Sequence, residues 1–208
     1  GDAQVGLDTT WPRVAAAALS ASPESAFSVL AGDLVNDGDD DQQWEDWTKG
    51  LGELGTTRNV FAVPGNHEHI GDSQLDVWRS TFELPSNGPS LDTIGALADL
   101  AEGEDPIARQ YAAFFDRFTD VAAESVYFTD YQGVRFVALD GTRDQAALTP
   151  SDLPPCADPA CPASAPGDLW VQFQAAWLDG VLAQSDATWD VVSVHQPIYS
   201  STVGFDER

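Results

Sequence analysis

The chain has 208 residues, enough for one α/β domain with a substantial core, and its hydrophobic content of 43% excludes a disordered polypeptide. Its 34 acidic residues against 9 basic ones give a formal net charge of −25. Binding to nucleic acid or anionic lipid depends on Lys and Arg neutralising phosphate, so we expect no nucleic acid duplex and no membrane as a partner.

Short apolar runs alternate with longer amphipathic stretches, a pattern typical of an α/β fold in which helices pack on sheets. A helix is predicted over residues 11–20, where Pro stands at a permitted first-turn position. Buried strands are predicted at 27–31 and 59–63, and each is followed closely by a Gly. Between them, Trp and Leu recur at three- and four-residue steps over 44–54, which predicts a helix with one apolar face.

The second half of the chain begins with the segment 86–104, whose Gly, Pro, Ser and Asp content predicts a surface insertion. We then predict four further features in this order: a helix over 107–118, a β-hairpin of strands 125–131 and 134–139, a helix over 169–183 and a strand over 189–194. No internal repeat or clean linker interrupts the sequence, so residues 1–208 are predicted to form a single domain.

The two cysteines, Cys156 and Cys161, lie in a loop rich in Pro, Ala and Asp. Thiols this close can close a small surface loop as a disulfide, which suits an oxidising compartment and predicts a secreted or cell-surface protein. Four intervening residues are too many for a redox Cys-x-x-Cys pair, and no second pair exists for a zinc knuckle. The alternative is two free thiols in a reducing cell.

Metal-competent side chains follow the predicted strands repeatedly. Asp2 opens the chain, Asp33 ends the first strand, Asn66 and His67 follow the second, and His195 ends the last. The carboxyl ends of strands in α/β sheets face a common crevice, so we expect these side chains to meet despite their separation in sequence. A mixed oxygen and nitrogen ligand set suits Zn, Mn or Fe rather than Ca.

Four segments resemble, in order, the motifs of the calcineurin-like metallophosphoesterases: Gly1-Asp2-Ala3-Gln4, Gly32-Asp33, Gly65-Asn66-His67-Glu68 and Val194-His195-Gln196-Pro197-Ile198-Tyr199. The segments 127–140 and 177–179 also resemble the purple-acid-phosphatase-like branch of that superfamily. The resemblance implies a layered αββα fold, with two mixed sheets flanked by helices. It also implies a metal-dependent hydrolase acting on small phosphomonoesters or phosphodiesters, with nucleotides among the candidate substrates.

The resemblance implies a ligand set for two divalent or trivalent metal ions, whose identity (Zn, Mn or Fe) stays open. Asp33 would bridge the two metals, Asp2 would bind the first, and Asn66 with His195 would bind the second. In such a binuclear site a bridging hydroxide attacks phosphorus in line with the ester oxygen.

The same resemblance gives His67 the catalytic role, as a proton donor to the leaving group beside the metals. Glu68 would orient His67 or pack nearby. Two positions depart from the family's pattern: Gln4 stands where many members have His, and Asn36 stands where purple acid phosphatases have the Tyr that gives them colour. We therefore expect a colourless protein whose first metal takes a carbonyl oxygen from Gln4 or Asn36, or a water, in place of the missing ligand.

The family's final Gly-His-x-His motif, which supplies one ligand to each metal, is not found between residues 1 and 208. Because this motif is not found, we expect the C-terminal part of the domain to be absent from this chain. The chain also begins at Gly1 and has no Met, so we expect a processed or truncated piece. Another fragment would supply that part, or it is lost, and the chain alone is expected to bind metal weakly. The alternative function is a non-catalytic acidic binding module that retains the fold.

Several other polar residues have a plain structural explanation. His69 is expected to be a solvent-facing loop residue, and the acidic run 37–41 an acidic turn that leads a helix rather than a calcium loop. Asp140, at a strand end, is a weaker candidate for contact with substrate or with the residues around the metals. A third possible function, calcium-dependent adhesion through the acidic surface, would not depend on Asp33.

Overall fold

The computed structural model describes residues 1–197, and its elements begin and end close to the predicted ones. In chain order they are α1 (Trp11–Ala21), β1 (Phe27–Ala31), α2 (Asp41–Leu51), α3 (Glu53–Thr57), β2 (Asn59–Val63), α4 (Asp76–Thr81), a 3₁₀ helix (Gly95–Ala101), α5 (Pro106–Ala122), β3 (Tyr127–Tyr131), β4 (Val134–Leu139), α6 (Gln145–Leu148), a 3₁₀ helix (Pro162–Ser164), α7 (Pro166–Ala183) and β5 (Trp189–Val194).

The strands form two sheets, and the layered fold is confirmed. In the first sheet β1 and β2 run parallel, with Ala31 opposite Val63 at their carboxyl ends. In the second sheet β4 pairs antiparallel with β3 and parallel with β5. The second sheet is therefore mixed as predicted, whereas within residues 1–197 the first sheet contains only the parallel pair.

The two sheets pack face to face through aromatic side chains. Phe27 of β1 contacts Phe136 of β4 with ring centroids 4.8 Å apart, and Phe61 of β2 stacks on the same ring. The Tyr127 hydroxyl donates to the Ala62 carbonyl at 2.8 Å, which joins the sheets by a buried hydrogen bond. Burial raises the pKa of Tyr127, so the hydroxyl remains a donor.

Helices cover the outer face of each sheet, because strand side chains alternate between the two faces. The cluster outside the first sheet is built mainly from indole and phenyl rings on α1, α2 and α4: Trp11, Trp44, Trp47, Trp78 and Phe82. The cluster outside the second sheet comes mainly from α5 and α7: Phe114, Phe115, Phe118, Trp170, Phe173 and Trp177. The order of layers is helix, sheet, sheet, helix.

Two helix boundaries have clear local causes. The Asp40 side chain accepts hydrogen bonds from the Gln42 and Gln43 amides at the start of α2, which confirms that the acidic run leads a helix. The single helix predicted over 44–54 is wrong, because Gly52 adopts a positive φ of 53° and separates α2 from α3.

The prediction of a surface insertion over 86–104 is wrong for its centre. Ile94 is almost completely buried, and the following 3₁₀ helix packs Leu97 and Ala98 against the cluster on α5 and α7. The predicted disulfide between Cys156 and Cys161 is present. Among residues 1–197, no helix combines the length and apolar content that a bilayer crossing requires.

Candidate metal centre

Asp33 lies directly after β1, where the backbone turns sharply. Gly32 has φ 71° and Asp33 has φ 53°, in the left-handed region that favours Gly and that Asp tolerates. A Cβ at Gly32 would lie 2.6 Å from the His195 ring, so only Gly permits this approach. The turn buries Asp33 and brings its carboxylate to His195.

The first residues of the chain run beside this turn. The Asp2 amide donates to the Gly32 carbonyl at 2.9 Å, and the Gln4 amide donates to the Asp33 carbonyl at 3.2 Å. The Gln4 side-chain Nε2 also donates to Asp33 Oδ2 at 3.3 Å. These bonds place Asp2 and Gln4 at the carboxyl end of β1 next to Asp33.

The turn after β2 approaches Asp33 from the other side. A Cβ at Gly65 would lie 2.2 Å from Asp33 Oδ1, so this position also requires Gly. The His67 amide donates to Asp33 Oδ1 at 3.1 Å. Asn66 and His67 therefore project from a turn that is hydrogen-bonded to the Asp33 carboxylate.

Glu68 holds the two turns together through backbone amides. Its carboxylate accepts from Asp33 N at 2.9 Å, from Leu34 N at 2.6 Å and from Gly65 N at 2.6 Å. Glu68 is 1% exposed, and burial raises its pKa even though these amides act in the opposite direction. The structure thus gives Glu68 a role in fixing both turns, and no hydrogen bond joins its side chain to the His67 ring among the described residues.

His195 links the two sheets at the site. Its Nδ1 is 2.9 Å from the Ala31 carbonyl, and since a carbonyl only accepts, Nδ1 carries the proton and Nε2 faces Asp33 Oδ2 at 3.2 Å. The hydrogen bond with Asp33 raises the pKa of His195 to about 9. Burial alone would raise the pKa of Asp33, but the bonds from His195 and the His67 amide outweigh burial and lower it.

The four predicted ligands meet around one cavity. Ligand atoms of Asp2, Asp33 and His195 all lie within 4.8 Å of one another. The cavity has a volume of about 340 Å³ and is lined by these three residues together with Asn66, His67, Gln4, Gln196 and Pro197.

The chemistry of this donor set fits a divalent cation. Carboxylate, amide and imidazole groups of three different turns converge there, with a mix of oxygen and nitrogen donors. In addition, Gln4 Oε1 is buried and has no hydrogen-bond partner among residues 1–197, as expected for an oxygen that a cation would satisfy.

Asn36 lies outside the cavity lining, and its side chain donates to Asp37 Oδ2 at 2.9 Å. Its backbone carbonyl accepts from His67 Nδ1 at 2.7 Å. Asn36 therefore contacts the site through the His67 ring and not through its own side chain.

One expectation about a neighbouring residue is wrong, and the weaker candidate role of Asp140 is excluded for direct contact in the cavity. His69, expected to face solvent, is 3% exposed, and its Nε2 is 3.0 Å from Asp140 Oδ2. Asp140 is fully buried and does not line the cavity, so it does not contact a substrate there. Both residues are internal because each supplies a hydrogen-bond partner that the other needs.

Sequence reasoning assigned no role to Gln196 and Pro197, which line the cavity. Their position directly after His195 at a strand end was the available signal. Ile198 and Tyr199 of the same motif lie outside the described residues.

A family model described as calcineurin-like phosphoesterase matches residues 6–208. The matched range includes Asp33, Asn66, His67 and His195 and starts after Asp2 and Gln4. No curated protein matches the chain.

Proposed function

The chain belongs to the calcineurin-like phosphoesterases, and we propose that it hydrolyses small phosphomonoesters or phosphodiesters with two cations bound at the Asp33 cavity. The single observation that supports this most directly is the convergence of Asp2, Asp33 and His195 donor atoms within 4.8 Å. Asn66 and His67 line the same cavity, so a phosphoryl group bound there would lie beside both.

In this proposal Asp33 would be shared by both cations, because one carboxylate offers two charged oxygens. Asp2 and the Gln4 carbonyl oxygen would hold the first cation, and Asn66 and His195 would hold the second. When bound, the cations lower the pKa of a water molecule and withdraw electron density from the phosphoryl oxygens. They also supply the positive charge that a chain of net charge −25 otherwise lacks for an anionic substrate.

Backbone carbonyls set the protonation pattern of both site histidines. Ala31 holds the proton of His195 on Nδ1, which leaves the Nε2 lone pair of the neutral ring for a cation. Asn36 holds a proton on His67 Nδ1 in the same way, so His67 Nε2 donates only when the ring is an imidazolium.

His67 Nε2 lies 4.0 Å from Asp33 Oδ2, and the His67 side chain is 26% exposed. The ring is thus open to the cavity. In the reaction the attacking water would lose one proton to solvent and its oxygen would bond to phosphorus, as the P–O bond to the departing ester oxygen breaks. His67 Nε2–H would give its proton to that departing oxygen and would regain a proton from solvent after the product leaves.

The proposal is tested by hydrolysis of p-nitrophenyl phosphate and bis(p-nitrophenyl) phosphate with added Mn²⁺ or Zn²⁺. We expect Asp33→Asn to abolish turnover and His67→Asn to lower kcat about 10²- to 10⁴-fold. The His67→Asn loss is expected to be larger for phenyl phosphate, whose poorer leaving group needs the proton more. Asp92→Asn, an exposed carboxylate away from the cavity, is the matched control and should behave as wild type.

Two results would contradict the proposal. Turnover that survives Asp33→Asn would place the chemistry elsewhere. Cation binding without turnover of any ester would favour the non-catalytic acidic module.

We also propose that the protein is secreted or held at the cell surface. The Cys156–Cys161 disulfide supports this, because such bonds persist in oxidising compartments. Fractionation of the producing cells tests it, and recovery of the protein in the reducing cytosol would contradict it.

A further inference from the structure

A buried His–Asp hydrogen bond joins the turn that carries His67 to the second sheet. His69 lies two residues after His67, in the turn that follows β2, and Asp140 follows β4. His69 Nε2 and Asp140 Oδ2 are 3.0 Å apart, and their side chains are 1% and 0% exposed. Neither residue lines the cavity, so the proposed chemistry gives the His69–Asp140 pair no role.

The Asp140 end of the pair is fixed by α7. The Asp140 amide donates to Gln174 Oε1 at 3.0 Å, and the Asp140 carbonyl accepts from Trp170 Nε1 and from Gln174 Nε2, each at 2.8 Å. The second carboxylate oxygen, Oδ1, accepts from the Thr142 amide at 2.9 Å. The backbone and one carboxylate oxygen of Asp140 are therefore fixed by hydrogen bonds that do not involve His69.

The His69 end belongs to a turn whose further hydrogen bonds run to residues that follow β1: the His67 amide donates to Asp33 Oδ1, the His67 ring to the Asn36 carbonyl, and the Gly38 amide to the Ile70 carbonyl. The Ile70 amide donates to the His67 carbonyl at 3.1 Å, which closes the turn, and Glu68 ties its front to the amides of the Asp33 turn. Glu68 thus attaches the turn to the first sheet, whereas His69 attaches it to the second. His69 Nδ1 has no partner among residues 1–197, so the ring's only hydrogen bond in that part of the chain is to Asp140.

The proposed cation ligands come from both sheets, so the attachment of the turn to the second sheet affects the distance between them. Asn66 and Asp33 follow strands of the first sheet, and His195 follows β5 of the second. A displacement of one sheet relative to the other would separate Asn66 from His195. Burial alone would lower the pKa of His69, but the charge and hydrogen bond of Asp140 outweigh burial and raise it.

We propose that His69 and Asp140 are a positioning pair, which holds the Asn66–His67 turn at a fixed place relative to the second sheet and so keeps both halves of the cation site in register. The inference rests on the proposed function for its catalytic readout only. Neither residue contacts the substrate or the cations, and the pair acts through the backbone of the turn.

The test compares His69→Gln, Asp140→Asn and the double variant, which replaces the His–Asp pair by an amide pair that can still hydrogen-bond. We expect each single change to weaken Mn²⁺ binding, measured by calorimetry, about tenfold, and to lower kcat for bis(p-nitrophenyl) phosphate with little change in KM. The double variant is expected to be no weaker than either single variant, because the two positions act together.

Gln110→Leu is the matched control for lost stability. Gln110 is 3% exposed, and on α5 its side chain donates to the Pro154 carbonyl at 2.7 Å, away from the cavity. This variant should melt at a lower temperature but bind Mn²⁺ as wild type does. If the pair variants likewise melt earlier and keep wild-type Mn²⁺ affinity, the pair is only structural and the inference is overturned.

A failure of the positioning inference can be distinguished from a failure of the proposed function. A wild-type protein that binds Mn²⁺ but hydrolyses no ester contradicts the phosphoesterase proposal, and the Mn²⁺ affinities of the variants then decide the inference. Strictly additive losses in the double variant also overturn it.

Discussion

Gly32 and Gly52 both have a positive φ, of 71° and 53°, but their surroundings differ. A Cβ at Gly32 would lie 2.6 Å from the His195 ring, whereas a Cβ at Gly52 would meet nothing within 4 Å. We therefore expect Gly32→Ala to displace His195 and to abolish the Mn²⁺ binding of the wild-type chain in calorimetry. Gly52→Ala should leave Mn²⁺ binding unchanged and cost only the backbone strain, about 1–3 kcal/mol in denaturant unfolding. Equal Mn²⁺ affinities in the two variants would show that the Gly32 approach is not needed.

Single residues also show where sequence reasoning stops. Asp33, Asn66 and His195 could be placed at one cavity because each follows an apolar strand, and strand ends converge. The hydrogen-bond partners of Glu68 and His69 could not be predicted, because the direction of a side chain in a tight turn depends on what lies behind the turn. Their partners are backbone amides and an aspartate distant in sequence, which leave no local pattern.

At the scale of an element, α5 shows how much one cap contributes. The Asp105 side chain accepts from the Ile107 and Ala108 amides at the start of α5, and Pro106 follows it at the first helical position. Asp105→Ala should cost about 1 kcal/mol, or about 2–4 °C in melting temperature, since α5 carries much of one core cluster. Asp105→Ser keeps a capping oxygen and is expected to melt close to wild type. A Ser variant as unstable as the Ala variant would contradict the capping role.

Elements differed in how well the sequence predicted them. The strands at 27–31 and 59–63 were predicted to the residue, because continuous apolar runs bounded by polar residues allow few alternatives. The segment 86–104 was wrongly predicted to lie entirely at the surface, because its many Gly, Pro and Ser residues concealed the contribution of Ile94 and Leu97 to the core. The 3₁₀ helix packs three apolar residues, Leu97, Ala98 and Ala101, against this core cluster. Three residues are too few to produce a recognisable hydrophobic period in the sequence.

For the whole molecule, the dominant physical feature is the charge of −25. Like charges on one surface repel one another and destabilise the compact state, and salt screens that repulsion. We expect the melting temperature to rise between about 0.02 and 0.3 M NaCl, with most of the gain before the Debye length falls to ~5 Å. Sucrose stabilises without screening and serves as the control. A melting temperature that is independent of NaCl would mean that the carboxylates are too far apart to repel measurably.

The layered architecture and the family of the whole chain agree with the sequence analysis, because its motifs extend from one end of the described fold to the other. Other whole-molecule expectations stay predictions: the purple-acid-phosphatase-like branch and a site that is not purple.

Asp2 and His195 stand at opposite ends of the described chain, yet their donor atoms belong to one 4.8 Å group. A nascent chain on the ribosome therefore cannot bring the donor atoms of Asp2, Asp33 and His195 together until residue 195 has emerged and β5 has joined its sheet. Contacts this distant in sequence are slow to form, because a long loop must close before they gain any energy. Formation of this group would consequently be a late step in the folding of residues 1–197, and a cation bound to it would link the two distant segments and protect both from proteolysis.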